Sequence, residues 1–276
     1  MKIEQVQDKI REYKKKGGLI TNYITGAVPA GTDVEFVEEG NNLVFWCPER
    51  FRVRAFYAGC DEKEISSLLK NAPDECVLEE VYRELGNNPH HSIIEEGGFT
   101  LCDTAVRKSF TYHTHPGTIP ETGKRKLLVK LYDPTFGEMA KEEDAEELFE
   151  INKEVFDPQV DEVMTLDEWR EVIQKKECIL FRAKGKIVTY YVFRKEGTKL
   201  YSHLSVNKGP ANFLYNIERR IFEECWKEGM RTNYWWVSLN NESAMTRMNE
   251  HHMDAVKHAS FIYNDIFIKR EKNLED

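Results

Sequence analysis

The 276-residue sequence lacks the patterns that would assign it at once to a familiar class of protein. It has no run of about 18 apolar residues, which excludes a membrane span. The first residues, Met1–Asp8, are polar and lack an apolar leader, so we expect a cytoplasmic protein. No P-loop, no Gly-x-Gly-x-x-Gly and no nucleophile elbow occurs. These absences give no support to nucleotide-phosphate binding, dinucleotide binding or serine-hydrolase chemistry.

The six cysteines lack the spacing of a metal or redox site. No two form a Cys-x-x-Cys pair, and most lie in apolar runs such as Phe45-Trp46-Cys47 and Cys178-Ile179-Leu180-Phe181. We therefore expect buried free thiols in a reducing compartment. The histidine pairs His90-His91 and His113-Thr114-His115 have no Cys, Asp or Glu at ligand spacing, so no metal site is predicted.

Positive charge is also scarce, because 39 Lys and Arg face 48 Asp and Glu and give a net charge of −9. A polyanion is repelled by such a surface, so nucleic acid is not an expected partner. The basic cluster Arg11–Lys16 is predicted to be the solvated end of a first helix. An acidic surface suits a cationic substrate such as an amine.

Hydrophobic spacing predicts a mixture of helices and strands in the first half of the chain. The predicted elements are a helix over 2–16, a hairpin of Leu43–Cys47 and Phe51–Tyr57, a helix capped by Asp61 that runs to Leu69, and strands Val77–Tyr82 and Phe99–Tyr112. The segment His113–Lys126 is rich in His, Pro, Gly and Thr, as linkers are. We therefore predict two domains, 1–120 and 121–276.

The second half is predicted to alternate between helices and antiparallel strands. Its elements are a strand Leu127–Tyr132, helices Lys141–Phe156 and Leu166–Lys176, strands Cys178–Ala183, Ile187–Arg194 and Leu200–Val206, a helix Asn212–Lys227, a strand Tyr234–Leu239, a short helix from about Glu242 to His251, and paired strands within Ala259–Lys269. The pair Thr165-x-x-Glu168 fits a capping box. Both halves therefore predict an α+β fold of two mixed, mostly antiparallel sheet domains.

Two stretches of the second half carry a further signal. In the strand–loop–helix segment Leu204–Phe213, Gly209 and Ala211 stand just before the helix. In residues 238–253, Asn241 and Ala244 open a short helix. With the element order, these stretches resemble the Gcn5-related N-acetyltransferase superfamily, whose motifs are Q/R-x-x-G-x-G/A and N-x-x-A-x-x-x-Y-x-x-x-G-F. The fold that the resemblance implies is the acyl-CoA N-acyltransferase fold.

The resemblance implies that acetyl-CoA is the co-substrate and that no metal is needed. In the family, backbone N–H groups of the loop hold the pyrophosphate of coenzyme A at the positive end of the helix. The residues that the two motifs place around coenzyme A are Leu204, Ser205, Val206, Gly209, Ala211, Asn212, Phe213, Asn241 and Ala244. Val206 stands where Gln or Arg is expected, His252-Met253 replaces Gly-Phe, and Met248 stands at the position of the Tyr that protonates the leaving thiolate. A methionine has no proton to donate.

Acetyl transfer to an amine needs a base, a polarised carbonyl and a stabilised leaving thiolate. His203 is the ionisable residue nearest to where relatives place a base, and Tyr201 lies beside it. Backbone N–H near Ser205 or Val206 is the expected carbonyl donor, and His252 (or His251) is a candidate acid in place of the tyrosine. The plainer interpretations, a hydrogen-bonded strand histidine and a polar helix end, stay open.

Two aromatic residues and the first half complete the sequence-based expectations. Trp235 and Trp236 alternate across a strand, so at least one ring should lie in the core and the other could wall the acceptor site. Residues 43–112, with Gly98-Phe99 before a long strand, resemble a truncated copy of the same fold; an unrelated α+β domain is the alternative.

The sequence thus predicts an N-acyltransferase that acts on an amine of a small molecule or peptide. A first alternative is a non-catalytic acyl-CoA-binding or partner-docking module that kept the fold. A second alternative is an aminoacyl transferase that uses charged tRNA, and the net charge of −9 argues against it.

Overall fold

The computed structural model describes residues 1–118, 125–249 and 256–270, with side chains throughout these ranges except at 116, 125 and 246–249. The helices in these ranges are α1 (Ile3–Lys16), α2 (Glu62–Leu69), α3 (His91–Glu96), α4 (Arg125–Val129), α5 (Ala145–Val155), α6 (Leu166–Gln174), α7 (Ala211–Lys227) and α8 (Glu242–Asn249). The first strands are β1 (Ile20–Thr21), β2 (Glu35–Glu39), β3 (Asn42–Glu49), β4 (Arg52–Gly59), β5 (Val77–Tyr82) and β6 (Phe99–Tyr112). The later strands are β7 (Glu138–Met139), β8 (Cys178–Ala183), β9 (Lys186–Glu196), β10 (Lys199–Asn207), β11 (Thr232–Ser238) and β12 (Val256–Lys269).

The chain forms two compact units. Unit 1 consists of Met1–Ala105, Asp157–Glu162 and the segment that starts at Ile262, and unit 2 consists of Val106–Phe156 and Val163–Phe261. Strands β6 and β12 therefore contribute residues to both units. The independence of 1–120 and 121–276 as folding domains stays a prediction. None of the helices in the described ranges has the length and apolar character needed to cross a bilayer.

Unit 1 is built on a mixed sheet in which the strands follow the order β2-β3-β4-β5-β12-β6. The predicted hairpin is confirmed, because β3 and β4 pair antiparallel. The predicted cap of α2 is also confirmed, since the Asp61 carboxylate accepts hydrogen bonds from the N–H groups of Lys63 and Glu64 at 2.9 and 3.0 Å. Helices α2 and α3 bury Leu69 and Ile94 in a core shared with the sheet.

In unit 2 the strand order is β6-β11-β10-β9-β8-β7. The strands β7 to β10 pair antiparallel, and β10 pairs parallel with β11. Apolar side chains are buried in two clusters on opposite faces: Trp169 of α6 packs with Tyr190 and Val192, and Ile217 of α7 packs with Tyr191. The sheet therefore lies between α5 and α6 on one side and α7 on the other. Each unit has the predicted α+β character with mixed, mostly antiparallel strands.

Two elements predicted for the second half of the chain are wrong. Residues 127–132 were expected to form a strand, but the short helix α4 ends at Val129 and a turn follows. Leu127 and Leu131 are 65% and 58% exposed, and the other apolar side chains of the segment are only half-buried. The place beside β8 is taken by β7. Residues 259–269 belong to one continuous strand, β12, rather than to a pair. Asn264-Asp265 resembles a turn signal, but the Asp265 carboxylate is held inside unit 1 by Tyr82.

Candidate functional site

The parallel strands β10 and β11 pair over four residues and then separate. The paired steps run from Lys199 opposite Thr232 to Ser202 opposite Trp235. On its other edge β10 continues beside β9 to its end, with one irregularity: Ser202 lies opposite Phe193 and Leu204 opposite Val192. His203 is therefore the extra residue of a β-bulge, a feature that bends a strand and increases its twist. From Leu204 onward, no residue in the described part of β11 pairs with this edge of β10. The backbone groups of β10 therefore face a wedge between the two strands.

The loop 207–210 joins this wedge to the start of α7 and is fixed by the side chain of Asn207. Its amide oxygen accepts hydrogen bonds from the Thr189 hydroxyl at 2.7 Å and from the Gly209 N–H at 3.2 Å. Its amide nitrogen donates to the Pro210 carbonyl at 3.2 Å. A Cβ at Gly209 would lie 2.6 Å from the ring of Phe213. Close packing therefore requires glycine here, whatever ligand the loop binds.

Most backbone donors of the loop are already used. The Lys208 N–H donates to the Val188 carbonyl at 2.7 Å, the Gly209 N–H bonds to Asn207, and proline has no N–H. The first-turn N–H groups of Ala211 and Asn212 have no acceptor within an α-helix. They point out of the N-terminus of a 17-residue helix, where the dipole favours an anion. Binding of a pyrophosphate at this end of α7 therefore depends on these two N–H groups.

The two predicted catalytic residues on β10 lie together. His203 is 8% exposed, and its ring centroid is 5.0 Å from that of Tyr201. Tyr201 is half-buried and stacks on Tyr234 of β11. His203 and Tyr201 contact each other because residues two positions apart in a strand point to the same face. An imidazole and a phenol thus stand at the point where the two strands separate.

Several residues that the sequence predicts around coenzyme A have packing roles. Leu204 and Val206 are buried in the apolar cluster that includes Trp169. Phe213 packs against the rings of Phe136 and Phe181, with centroids 5.1 and 4.7 Å apart. Leu204 and Val206 are part of the core, so any contact with a ligand falls to their backbone groups. Phe213 is half-buried. Ser205, between Leu204 and Val206, is also half-buried.

The second motif forms the start of α8. The Asn241 side-chain oxygen accepts a hydrogen bond from the Ala244 N–H at 3.0 Å, and its carbonyl accepts one from the Met245 N–H at 2.9 Å. Asn241 is thus the N-cap of α8. His252 lies outside the described residues, as does the side chain of Met248. Their predicted roles stay predictions.

Tyr234 and Arg107, which sequence analysis did not assign to the site, lie on the same face as Tyr201, and so does Trp236, one of the two tryptophans expected there. Tyr234 and Trp236 follow each other on this face of β11, and the Arg107 guanidinium lies 5.8 Å from each ring centroid. Trp235 points the other way, is 3% exposed and packs on Phe110 at 5.4 Å. The predicted alternation of the two tryptophans is confirmed. Nothing in the sequence links Arg107 to β11, because their proximity depends on strand order.

Burial and one acidic neighbour control the phenol of Tyr234. Its hydroxyl donates a hydrogen bond to the Glu196 carboxylate. Burial, together with this carboxylate, raises the pKa of Tyr234 above its ordinary value. The phenol is therefore neutral at physiological pH, and it serves as a hydrogen-bond donor rather than as a base. In the described ranges, no three His, Cys, Asp or Glu side chains lie together as metal ligands.

The fold that positions these residues is that of the Gcn5-related N-acetyltransferases. The chain is similar to the GCN5-related N-acetyltransferase from Sphaerobacter thermophilus, with a TM-score of 0.52, 13% identity and coverage of 84% of this chain and 78% of that one. A putative acetyltransferase of the GNAT family from Novosphingobium aromaticivorans has 15% identity, a TM-score of 0.48 and coverage of 86% and 92%. No family model and no curated protein matches the sequence. At this identity the likeness shows the fold alone.

Proposed function

We propose that unit 2 is a coenzyme-A-dependent N-acyltransferase that moves an acetyl group from acetyl-CoA to an amine of a small molecule or peptide. The observation that carries the proposal is the separation of β10 and β11 after Ser202 and Trp235, directly before the N-terminus of α7. An extended ligand with amide groups fits the backbone edge of β10 in this wedge. Its anionic end fits the N–H groups of Ala211 and Asn212.

The side chains at the wedge suit a reaction in which a neutral amine attacks the thioester. Acetyl-CoA supplies the activated acyl group: the amine nitrogen forms a bond to the thioester carbonyl carbon, and the carbon–sulfur bond breaks. His203 accepts the proton that the amine loses. Backbone N–H groups near Ser205 and Val206 donate to the carbonyl oxygen as its negative charge grows. Tyr201 orients the ring of His203 from 5.0 Å away.

The departing thiolate needs no side-chain acid in this proposal. A thiol has a pKa of about 8.5, so a thiolate leaves without general-acid help and takes its proton from water. Met248, at the family's tyrosine position, then makes the reaction slower rather than impossible. Met248→Tyr should raise the rate of acetyl transfer, and general-acid catalysis is typically worth roughly 100- to 10,000-fold.

One observation favours the alternative of a module that kept the fold without the chemistry. The loop before α7 uses the N–H groups of Lys208 and Gly209 internally, and Pro210 offers none. A pyrophosphate therefore meets fewer donors than a loop with free N–H groups would provide. Under this alternative the chain binds coenzyme A weakly or not at all, and the first unit and the wedge serve contacts with a partner protein.

A proline substitution tests the binding of coenzyme A at the start of α7. Proline is well tolerated at the first position of a helix, and it removes one N–H donor. Pro210 already has φ −57° and ψ 150°, the conformation required before proline. We expect Ala211→Pro to weaken acetyl-CoA binding about tenfold in calorimetry, because hydrogen bonds to charged groups are worth roughly 1.5–3 kcal/mol.

The matched control is Glu62→Pro at the first position of α2. Asp61 before it is extended and caps Lys63 and Glu64, so proline fits there as well. This variant should bind acetyl-CoA as the unmodified protein does. No binding at millimolar acetyl-CoA would refute the proposal, as would equal affinity in Ala211→Pro. Tight binding without acetylation of any amine in a broad panel would favour the non-catalytic module.

A further inference from the structure

A row of aromatic and basic side chains crosses four strands on one face of the unit 2 sheet. Arg194 of β9, Tyr201 of β10 and Tyr234 of β11 lie opposite one another in register. Arg107 of β6 continues the row over the rings of Tyr234 and Trp236. Strand β6 runs antiparallel to β11, since Thr111 bonds to Thr232 at the other end of the same pair. The row therefore passes His203 at Tyr201 and ends at Arg107.

Arg107 differs from three other half-buried arginines of unit 2 in what surrounds its charge. Arg182 pairs with Asp144, Arg219 with Glu223, and Arg220 with Glu224. Within the described residues, Arg107 has the two aromatic rings as neighbours and no carboxylate in an ion pair. A guanidinium whose face lies over aromatic rings keeps the N–H groups at its edge for a planar anion.

The geometry points to a carboxylate of the acceptor as that anion. We propose that Arg107 binds the carboxylate of an amine that is acetylated beside His203. The inference rests on the acyl transfer proposed above. It adds a second residue, besides His203, that interacts with the acceptor. The planar fork of a guanidinium fits both carboxylates and phosphates, so the charge of the neighbouring residues decides between them. The Glu196 carboxylate on the Tyr234 hydroxyl would repel a dianion more strongly than a monoanion.

The distance between strands limits the length of the acceptor. Strand β6 is separated from β10 by one intervening strand, so their backbones lie two strand spacings apart, roughly 10 Å. The amine and the carboxylate of an α-amino acid are separated by a single carbon and cannot reach both positions. The acceptor is therefore an ω-amino acid or a short peptide, with several bonds between its amine and its carboxylate. Its apolar middle lies on the rings of Tyr201 and Tyr234.

A product analogue tests this site without any need for turnover. The probe is 6-acetamidohexanoate, and its neutral counterpart is 6-acetamidohexanamide, both titrated into the full-length protein by calorimetry. We expect the carboxylate to bind roughly 10- to 100-fold more tightly than the amide, as a charge-assisted pair predicts. Arg107→Gln should remove this preference, and Arg107→Lys should keep part of it because it keeps the charge but loses the fork.

Arg231→Gln is the matched control, since Arg231 also lies over an aromatic ring, 3.8 Å from the centroid of Trp226, but away from the row. This variant should keep the preference for the carboxylate. Equal affinity for the two probes, unchanged affinity in Arg107→Gln, or tighter binding of the phosphonate counterpart would overturn the inference. A parallel titration with acetyl-CoA separates the two proposals. If the probe binds and acetyl-CoA does not, the carboxylate site at Arg107 is supported and the proposed acyl transfer is refuted. If only acetyl-CoA binds, the carboxylate site is refuted.

Discussion

Tyr201 and Tyr234 stack face to face across β10 and β11, with ring centroids 4.7 Å apart and planes 7° apart. They occupy paired positions one step before the two strands separate. Each ring is half-buried, and the ring of His203 lies 5.0 Å from that of Tyr201. The stack therefore places two adjacent aromatic rings beside the residue that we propose as the base.

The stacked pair leads to a first prediction about the acceptor. Tyr201→Ala removes one ring, so the KM for the amine should rise about 2- to 10-fold, since an aromatic pair is worth roughly 0.5–1.5 kcal/mol. The affinity for acetyl-CoA should stay the same. Steady-state kinetics at saturating acetyl-CoA measure the change. Tyr201→Phe is the control, because it keeps the ring. A fall in kcat with Phe as large as with Ala would instead assign a chemical role to the hydroxyl.

The sequence predicted more of the fold than of the site. The strands over 77–82, 99–112 and 178–183 and the capping box at Thr165 were predicted with their observed limits, because local patterns and caps determine them. The strand predicted at 127–132 was wrong, since exposure in the folded unit decided its conformation. Gly209 is explained by packing against Phe213, and Arg107 reaches the site only through the strand order. Neither relationship leaves a local pattern in the sequence.

A second prediction concerns His203 as the base. His203→Gln keeps a polar side chain of similar size but cannot take a proton at neutral pH. We expect kcat to fall roughly 100- to 10,000-fold while acetyl-CoA binds with unchanged affinity. An unchanged kcat would show that His203 is only a structural residue of the bulge.

A third prediction uses the environments of the six cysteines. Four are buried, whereas Cys60 and Cys102 are partly exposed. Burial raises the pKa of the Cys225 thiol to about 11 and that of Cys76 to about 12. Since the thiolate is the reactive form, buried thiols should be almost unreactive at pH 8. An aromatic disulfide reagent should therefore label about two thiols quickly in the native protein.

The pH dependence of labelling follows from the direction of these shifts. A raised pKa means that the thiolate forms only at higher pH, so slow labelling should accelerate as pH rises toward 11. The control is the protein in denaturant, where all six cysteines of the sequence should react. Fast native labelling of more than two thiols at pH 8 would contradict the buried positions of Cys47, Cys76, Cys178 and Cys225.

The last prediction concerns where the chain can be divided. A fragment 121–276 corresponds to the second predicted domain, but it omits the part of β6 that belongs to unit 2. Phe110 in this strand packs on Trp235 at 5.4 Å, and the Tyr112 N–H donates to the Arg231 carbonyl at 2.8 Å. Without the strand, β11 has an open edge beside an exposed tryptophan, and such edges promote aggregation.

We therefore expect a fragment 106–276 to be more soluble than 121–276 and to unfold more cooperatively. Circular dichroism during heating and the binding of a hydrophobic dye measure the difference. A version of the longer fragment with Phe110→Ala separates the two effects, because it restores the strand edge but not the packing on Trp235. If the packing matters most, this version should behave like the shorter fragment. Equal solubility and equal melting of 106–276 and 121–276 would instead show that the second half needs nothing before residue 121.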